Sequence, residues 1–297
     1  DVINEKNENI DYLSGLKLPE NLQATGSLPG AVSDADVVVV GVPRHGFRAA
    51  LEDVKPLLRP WIPVISLTKG IEQSTRLRMT QVIEEVLPGH PAGVLAGPNL
   101  AREVLQGYAA AAAIALPDQR HAGSLQTIFT STTFRVYTNL DVVGSELGGA
   151  LKNVVAIAAG MAEGRGVGDN TKAMVVTRGL AEMIRLGEAM GADPLTFAGL
   201  TGLGDLMATC SSPLSRNRTV GQHLAEGKTI EQITSEMKMV AEGVKSARVV
   251  CELAEEHGVD MPIAREVDGV VNDGRTPAAA YRGLRRIAPT SEIHGLA

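Results

Sequence analysis

The first half of the chain alternates short apolar runs with stretches in which apolar residues recur at helical spacing. Residues 36–43 form an apolar run that ends at a turn, which is typical of a strand buried on both faces. Residues 47–58 follow with the periodicity of one helix face. The same patterns predict strands at 63–67, 92–96, 109–116 and 134–137, and helices at 77–87, from Asn99 as N-cap, and at 121–130. This order favours βαβ units and a parallel sheet.

Strand patterns end at about Leu140, and helical periodicity continues from there to the end of the chain. The predicted helices are 145–159, 171–190, 216–226, 229–236, 244–257 and 277–287. Asn170 precedes the second of these as a candidate cap, and the residues from Thr229 to Gln232 match a capping box. We therefore predict an α/β domain over residues 1–140 and an all-helical domain over residues 141–297.

Composition narrows the class of protein. The 297 residues are enough for about two domains of roughly 150 residues each. With 44% hydrophobic and 21% charged residues the chain is typical of a soluble globular protein. A net charge of −6 argues against a nucleic-acid partner, and the longest apolar run, 154–162, is too short for a membrane span. Two cysteines argue against a secreted disulfide scaffold and favour the cytoplasm, and the histidines and cysteines show no metal-ligand spacing.

The loops that follow the predicted strands are the first candidates for a ligand site, because parallel sheets bind ligands beyond the carboxyl ends of their strands. These loops contain residues 42–46, 68–70 and 97–99, in which glycine or proline accompanies single polar residues. Lys69 follows a strand with no carboxylate nearby until Glu72. The competing interpretation is that such loops need glycine and proline only to turn, and that Lys69 is a solvated surface charge.

Lys152 and Asn153 interrupt a helix that is otherwise apolar or made of small residues. A lysine in such surroundings must reach solvent, be paired, or lower its pKa and act as an acid or base. Asp205 lies between glycines and apolar residues, and it either orients a catalytic lysine or caps the following helix. We favour functional burial of Lys152, although a lysine that reaches solvent at the helix end is the alternative.

The segment from Ser215 to Arg218 opens the next helix with two guanidiniums and an amide. Together with a helix N-terminus, these groups suit a phosphate or another anion. An ordinary basic surface turn is the alternative interpretation.

In order along the chain, these motifs resemble those of the bacterial-type NAD(P)-dependent glycerol-3-phosphate dehydrogenases. The resemblance covers nearly the whole chain and rests on the residues at 9–15, 21–25, 42–43, 65–70, 97–101, 149–153, 168–172, 202–205, 215–218 and 241–243. Any one of these short motifs is weak, but the ordered set is specific. The resemblance implies a Rossmann-like domain that binds NAD or NADP, followed by a helical domain that completes the active site.

The resemblance also implies roles for individual residues. Lys152 corresponds to the catalytic acid or base. From the chemistry of ketone reduction we expect Lys69 to position and polarise the substrate and Asp205 to orient the lysine. The residues implied to contact a phosphate-bearing substrate are Lys69, Gly97, Asn99, Asp205, Ser215, Arg216 and Asn217. Those implied to contact the cofactor are Lys69, Ala101, Arg216, Val240 and Glu242. A homodimer and a part in glycerophospholipid precursor synthesis are implied as well.

The chain departs from the family pattern at several points. Arg44, His45 and Gly46 follow Pro43 where the family usually has serine and alanine, and Asn99 stands where serine or threonine is common. No G-x-G-x-x-G follows a first strand, and the chain opens at Asp1 without methionine. We therefore expect the front edge of the cofactor domain, roughly 30 residues or more, to precede Asp1.

Two alternatives stay open from the sequence. The chain could be another β-hydroxyacid-type dehydrogenase that acts on a carboxylate, since Arg216 and Asn217 suit either anion. It could also be a non-catalytic remnant without the pyrophosphate loop.

Overall fold

The computed structural model describes residues 2–237 and 241–286. The chain divides into two compact units. The first comprises residues up to Thr68, Met79–Leu95 and Asn99–Leu140, and the second comprises Lys69–Arg78, Ala96–Pro98 and the residues from Asp141 onward. Two short stretches that follow strands in the chain thus belong with the second unit, although the sequence-based boundary at residue 140 places them in the first.

Five strands form a single sheet in the described part of the chain. They are β1 (Val38–Val40), β2 (Val64–Ser66), β3 (Ala92–Ala96), β4 (Ala110–Ala115) and β5 (Phe134–Asn139). The strands lie in sequence order, and β1–β2, β2–β3 and β4–β5 are parallel pairs. The prediction of a parallel α/β domain is confirmed.

Two short helices precede the first strand, and four more lie between the strands. They are α1 (Val2–Lys6), α2 (Leu28–Val32), α3 (Phe47–Val54), α4 (Met79–Val86), α5 (Ala101–Leu105) and α6 (Gln119–Phe129). Helix α3 buries Phe47, Leu51 and Val54, which are three of the positions that its periodicity marks. The carboxylate of Asp118 caps α6 by accepting bonds from two backbone amides of its first turn.

Two details of the first unit differ from prediction. The first strand is buried on one face only, since Val38 and Val40 are buried whereas Val39 is 43% exposed. Asn99 does not cap a helix. Helix α5 begins at Ala101, since the backbone is still extended at Leu100 (φ −63°, ψ 113°), which takes the N-cap position without a side-chain bond.

Helices build the second unit, as predicted. They are α7 (Val142–Gly164), α8 (Asp169–Ala189), α9 (Asp205–Ser211), α10 (Arg216–Ala225), α11 (Ile230–Glu236), α12 (Glu242–Glu256), α13 (Pro262–Asn272) and α14 (Pro277–Arg285). The capping box at Thr229 and Gln232 is confirmed. Asn170 is not the cap of α8, because the helix begins one residue before it and Gly168 occupies the cap.

Helix α7 is the centre of the second unit. Residues 144–162 are buried without interruption, with no exposed face. The helix is long and apolar enough to cross a membrane, but 89% of its most apolar window is buried inside the protein. It is therefore the core helix around which the others pack.

Glycines allow α7 and α10 to touch backbone to backbone. A Cβ atom added to Gly160 would lie 2.0 Å from the carbonyl oxygen of Arg218, and one added to Gly221 would lie 2.1 Å from that of Ile157. Real Cβ atoms do not approach so closely, so only glycine fits at either position. This contact places the N-terminus of α10 beside the middle of α7.

Candidate active site

Lys152 is buried near the middle of α7, with only 6% of its side chain exposed. Its Nζ donates to Oδ1 of Asp205 at 2.5 Å and to Oγ1 of Thr209 at 2.6 Å. Asp205 is the first residue of α9, and Thr209 follows one helical turn later on the same side. The short helix α9 therefore presents two oxygen atoms to one buried ammonium.

A second lysine binds the other oxygen of the same carboxylate. Nζ of Lys69 donates to Oδ2 of Asp205 at 2.8 Å and to the carbonyl oxygen of Gly97 at 3.0 Å. The side chain of Lys69 is 22% exposed, against 3% for Asp205. One buried carboxylate thus bridges two lysines, and of the two it is Lys69 that solvent reaches.

These charges set the protonation of Lys152. Burial, which deprives the charged form of its hydration, and the positive charge of Lys69 together lower the pKa of Lys152 to about 7. The Asp205 carboxylate acts in the opposite direction and only partly offsets these effects. A pKa near 7 gives both forms of the amine at neutral pH, which suits a group that donates and accepts a proton.

Cys210 lies next to this site but is chemically inert there. Burial raises the pKa of its thiol to about 12, so the side chain stays protonated. The structure therefore offers the lysine, and not the cysteine, as the reactive group.

The predicted anion-binding residues begin α10. The side chain of Ser215 accepts a bond from the Arg218 backbone amide as the N-cap. Nδ2 of Asn217 donates to Oδ1 of Asn153, and its Oδ1 accepts from the Gly243 amide, both at 2.9 Å. Asn217 thus ties α7, α10 and α12 together at the level of Lys152.

The two arginines of this segment differ in their surroundings. Arg216 is exposed at the first residue of α10. Arg218 instead donates to Glu163 through Nε at 2.8 Å and through a second, shorter bond. The guanidinium of Arg218 is paired with the Glu163 carboxylate, so it does not contribute to an anion-binding site.

The remaining predicted residues lie at several places. Gly97 has a φ of +139°, and Glu242 is the first residue of α12. Asn99 and Ala101 belong to the first unit. Val240 lies outside the described residues. Thr209 was missed in the sequence, although its spacing of one helical turn from Asp205 could have indicated it.

The residues fit part of a nicotinamide cofactor. A parallel sheet provides the edge at which such molecules bind, and the φ of +139° at Gly97 favours glycine there, which leaves the backbone just after β3 without a side chain. The sequence contains no G-x-G-x-x-G to hold a pyrophosphate. Within residues 2–237 and 241–286, no group of three His, Cys, Asp or Glu side chains could hold a metal ion.

The chain matches known proteins along nearly its whole length. Residues 1–122 match the model of the NAD-dependent glycerol-3-phosphate dehydrogenase N-terminus, and residues 141–282 match that of the C-terminus. Glycerol-3-phosphate dehydrogenase (NAD(P)+) of Mycobacterium avium is 56% identical over 99% of this chain and 87% of its own length. The enzyme of the same name from Sphingopyxis alaskensis is 55% identical over 98% of this chain and 88% of its own.

Solved structures show the same similarity. The crystal structure of glycerol-3-phosphate dehydrogenase from Coxiella burnetii superposes with a TM-score of 0.92 at 32% identity, over 96% of this chain and 87% of that one. Glycerol-3-phosphate dehydrogenase of Saccharomyces cerevisiae superposes with a TM-score of 0.83 at 29% identity, over 96% and 85% of the two chains.

Proposed function

Because the chain belongs to the NAD-dependent glycerol-3-phosphate dehydrogenase family, we propose that it interconverts sn-glycerol 3-phosphate and dihydroxyacetone phosphate with NAD or NADP. The observation that carries this proposal is the buried Lys152, whose ammonium is held by Asp205 and Thr209 and whose pKa is lowered to about 7. Such a group can give a proton to a ketone oxygen and take one from an alcohol at neutral pH.

The chemistry requires a hydride on carbon and a proton on oxygen. The nicotinamide cofactor supplies the hydride when bound. Lys152 donates the proton to the ketone oxygen in reduction and removes it from the hydroxyl in oxidation. Asp205 fixes the direction of Nζ, and Lys69 polarises the substrate and favours the neutral form of Lys152.

We assign the phosphate of the substrate to the start of α10. Arg216 supplies an exposed guanidinium there, and Ser215 and Asn217 supply polar side chains beside the amides of the first turn. Substrate contacts are also assigned to Gly97 and Asn99. The cofactor is assigned to residues 1–140, with contacts from Lys69, Ala101, Arg216, Val240 and Glu242.

Replacing Lys152 with methionine tests the assignment of the proton donor. We expect kcat to fall by about 10²–10⁴-fold, because methionine keeps the apolar bulk but carries no proton. Affinity for NADH, measured by fluorescence titration, should stay within a few fold of wild type. Lys228→Met is the matched control, since its ammonium pairs with Glu236 on an exposed surface. Full turnover in Lys152→Met would refute the assignment.

A substrate panel distinguishes the phosphate from a carboxylate. We expect turnover with dihydroxyacetone phosphate and little with ketones that carry a carboxylate instead. Arg216→Gln should raise KM for the phosphate substrate much more than it lowers kcat. Preference for a carboxylate ketone would favour the other class of dehydrogenase, and binding of neither cofactor would favour a non-catalytic protein.

We also propose that the protein is a cytoplasmic homodimer that feeds glycerophospholipid synthesis. This rests on the family to which the chain belongs. Sedimentation equilibrium tests the dimer, and a mass that stays monomeric across micromolar concentrations would contradict it.

A further inference from the structure

Residues 69–78 form a hairpin that belongs to the helical unit. Ile71 and Arg78 pair as an antiparallel bridge, and the Glu72 amide donates to the Leu77 carbonyl at 2.9 Å. The turn between them includes Arg76 in the left-handed region, with φ of +59°. The hairpin begins at Lys69, so its position determines where that lysine lies.

Both ends of the hairpin rest on α7. At one end the stem of Lys69 passes over Gly149, where an added Cβ would lie 3.4 Å from its Cγ atom. At the other end Nη1 of Arg78 lies 2.5 Å from Oε2 of Glu146, and these side chains are 14% and 4% exposed. Glu146 and Lys152 share α7 at a separation of about 9 Å along its axis.

The hairpin is also anchored elsewhere in the unit. Ile71 is 2% exposed and packs into the apolar core around α7. Gln73 donates to the Lys245 carbonyl at 3.1 Å, and Arg76 pairs with Glu256 at 3.2 Å on an exposed surface. An exposed ion pair contributes little, whereas a buried carboxylate without its cation is costly. The Arg78–Glu146 pair is therefore the polar anchor on which the position of the hairpin depends most.

We propose that Glu146 and Arg78 are positioning residues, which hold the 69–78 hairpin on α7 and thereby keep Lys69 on the Asp205 carboxylate. They act through Lys69 and do not themselves touch the reacting atoms. The kinetic consequence below rests on the proposed dehydrogenase function, but the placement of Lys69 does not.

The consequence for Lys152 has a definite sign. The charged or titratable groups that act on it are Lys69, Asp205 and Cys210. Lys69 disfavours the ammonium form of Lys152, and Asp205 favours it. If Lys69 moves away from Asp205, its positive charge no longer acts on Lys152, and the Asp205 carboxylate pairs with Lys152 alone. The pKa of Lys152 must then rise.

Amine labelling tests the placement of Lys69 without cofactor or substrate. The protein is treated with a trace of acetic anhydride, and the modification of Lys69 is measured by mass spectrometry. We expect Lys69 to react severalfold faster in Glu146→Gln than in wild type. Arg78→Lys, which keeps a countercharge for the buried Glu146, should give a smaller increase. Glu256→Gln removes only the exposed pair and should leave the rate unchanged.

Circular dichroism identifies the variants that are folded. If Glu146→Gln fails to fold, Arg78→Lys decides the question. An unchanged rate of Lys69 labelling in a folded Glu146→Gln or Arg78→Lys protein would overturn the proposal.

The pH profile tests the effect on Lys152. Oxidation of glycerol 3-phosphate needs the neutral amine, so its acid limb should move to higher pH by about half a unit or more in Glu146→Gln. If Lys69 labelling rises in Glu146→Gln but the acid limb of its pH profile stays at the wild-type position, the proposed effect on the pKa of Lys152 is wrong. Absence of any oxidation by the wild type would refute the proposed function, while the labelling experiment would still test the hairpin.

Discussion

At the scale of the residue, the site is one carboxylate shared by two ammonium groups. Oδ1 of Asp205 accepts a hydrogen bond from Lys152, whose side chain is buried. Oδ2 accepts one from Lys69, whose side chain is partly exposed to solvent. Since the two lysines repel each other, the less hydrated one releases its proton more easily. The asymmetry of burial therefore selects Lys152 as the group that exchanges protons near pH 7.

Removing the charge of Lys69 should move the proton equilibrium of Lys152. We expect Lys69→Met to raise the pKa of Lys152, because the positive charge of Lys69 helps to depress it. The acid limb of glycerol 3-phosphate oxidation should then shift to higher pH, whatever the loss in overall rate. Measured kcat against pH checks the shift, and a limb at the wild-type position would contradict it.

Removing the hydroxyl of Thr209 should have the opposite effect and lower the pKa of Lys152. Oγ1 of Thr209 accepts a bond from Nζ of Lys152 and donates to the Asp205 carbonyl at 2.6 Å. Thr209→Val keeps the shape of the side chain but removes an acceptor that favours the charged amine, so the same acid limb should move to lower pH. Thr209→Ser should restore the wild-type profile, and failure to do so would count against the hydroxyl as the cause.

The residues of the site differed in how far the sequence revealed them. Lys152 could be predicted because a lysine inside an apolar helix is chemically unusual, and Asp205 stood out among glycines in the same way. Thr209 looks like any threonine of a short helix. The bond between Arg218 and Glu163 could not be predicted, since it joins side chains 55 residues apart that meet only in the folded chain.

At the scale of the element, backbone contact between α7 and α10 fixes the site. Gly160 and Gly221 let the helices approach until a carbonyl occupies the place where a side chain would begin. The N-terminus of α10 is thereby set beside Asn153, to which Asn217 donates. The position of the proposed phosphate-binding end of the site is therefore set by residues that have no side chain.

Alanine at Gly221 should destabilise the helical unit. Its Cβ would meet the backbone of Ile157 and Met161, so we expect a loss of about 1–3 kcal/mol in the free energy of unfolding. Gly123→Ala in α6 is the matched control. Nothing lies within 4 Å of its new Cβ, and alanine should stabilise that helix by about 0.5–1 kcal/mol. Urea unfolding measures both, and equal effects would contradict the packing account.

Helices and strands could be predicted where the pattern of apolar and polar residues within one segment of the chain determines them. The strands were recognisable because their apolar runs are bounded by turns, and α3 because its apolar positions lie on one face. Helix α9 was anticipated only as a helix that Asp205 could cap, without bounds, and α13 was not predicted. The first begins among glycines, directly after the π-helical turn Leu200–Gly204, and the second depends on a cap from another helix. That cap is Glu182, which accepts from the Ile263 amide at 2.7 Å.

At the scale of the whole molecule, two buried ionisable groups should shape stability against pH. Burial raises the pKa of Glu182 to about 7, from an ordinary 4.5, and the pKa of Lys152 is lowered to about 7, from 10.5. From pH 4.5 to 7 the folded state keeps a proton on Glu182 that the unfolded chain has lost. From pH 7 to 10.5 the unfolded chain keeps one on Lys152 that the folded state has lost.

Stability should therefore fall as the pH rises to about 7 and recover above it, as far as these two groups determine it. Glu182→Gln should remove the fall on the acid side, and Lys152→Met the recovery on the alkaline side. Melting temperatures between pH 5 and 9 check this, with each variant compared with wild type at the same pH. Parallel curves for all three proteins would refute the account.

The α/β and all-helical classes followed from the sequence, but the membership of short segments did not. Residues 69–78 and 96–98 follow predicted strands, so the chain pattern assigns them to the sheet domain. In the structure they belong to the helical unit, where Ile71 enters the apolar core and Lys69 reaches Asp205. The unit to which a short segment belongs depends on contacts between residues far apart in sequence. The periodicity of apolar residues does not reveal these contacts.

The complete burial of residues 144–162 in α7 has a consequence for how this chain can vary. A helix with one exposed face tolerates larger or more polar residues on that face, but α7 has no exposed face over these residues. A single residue inserted between Gly149 and Lys152 would turn everything before it by about 100° relative to the lysine. Gly149 would no longer lie under Lys69, and Glu146 would no longer face Arg78. Length, as much as residue type, is therefore fixed along this stretch of the chain.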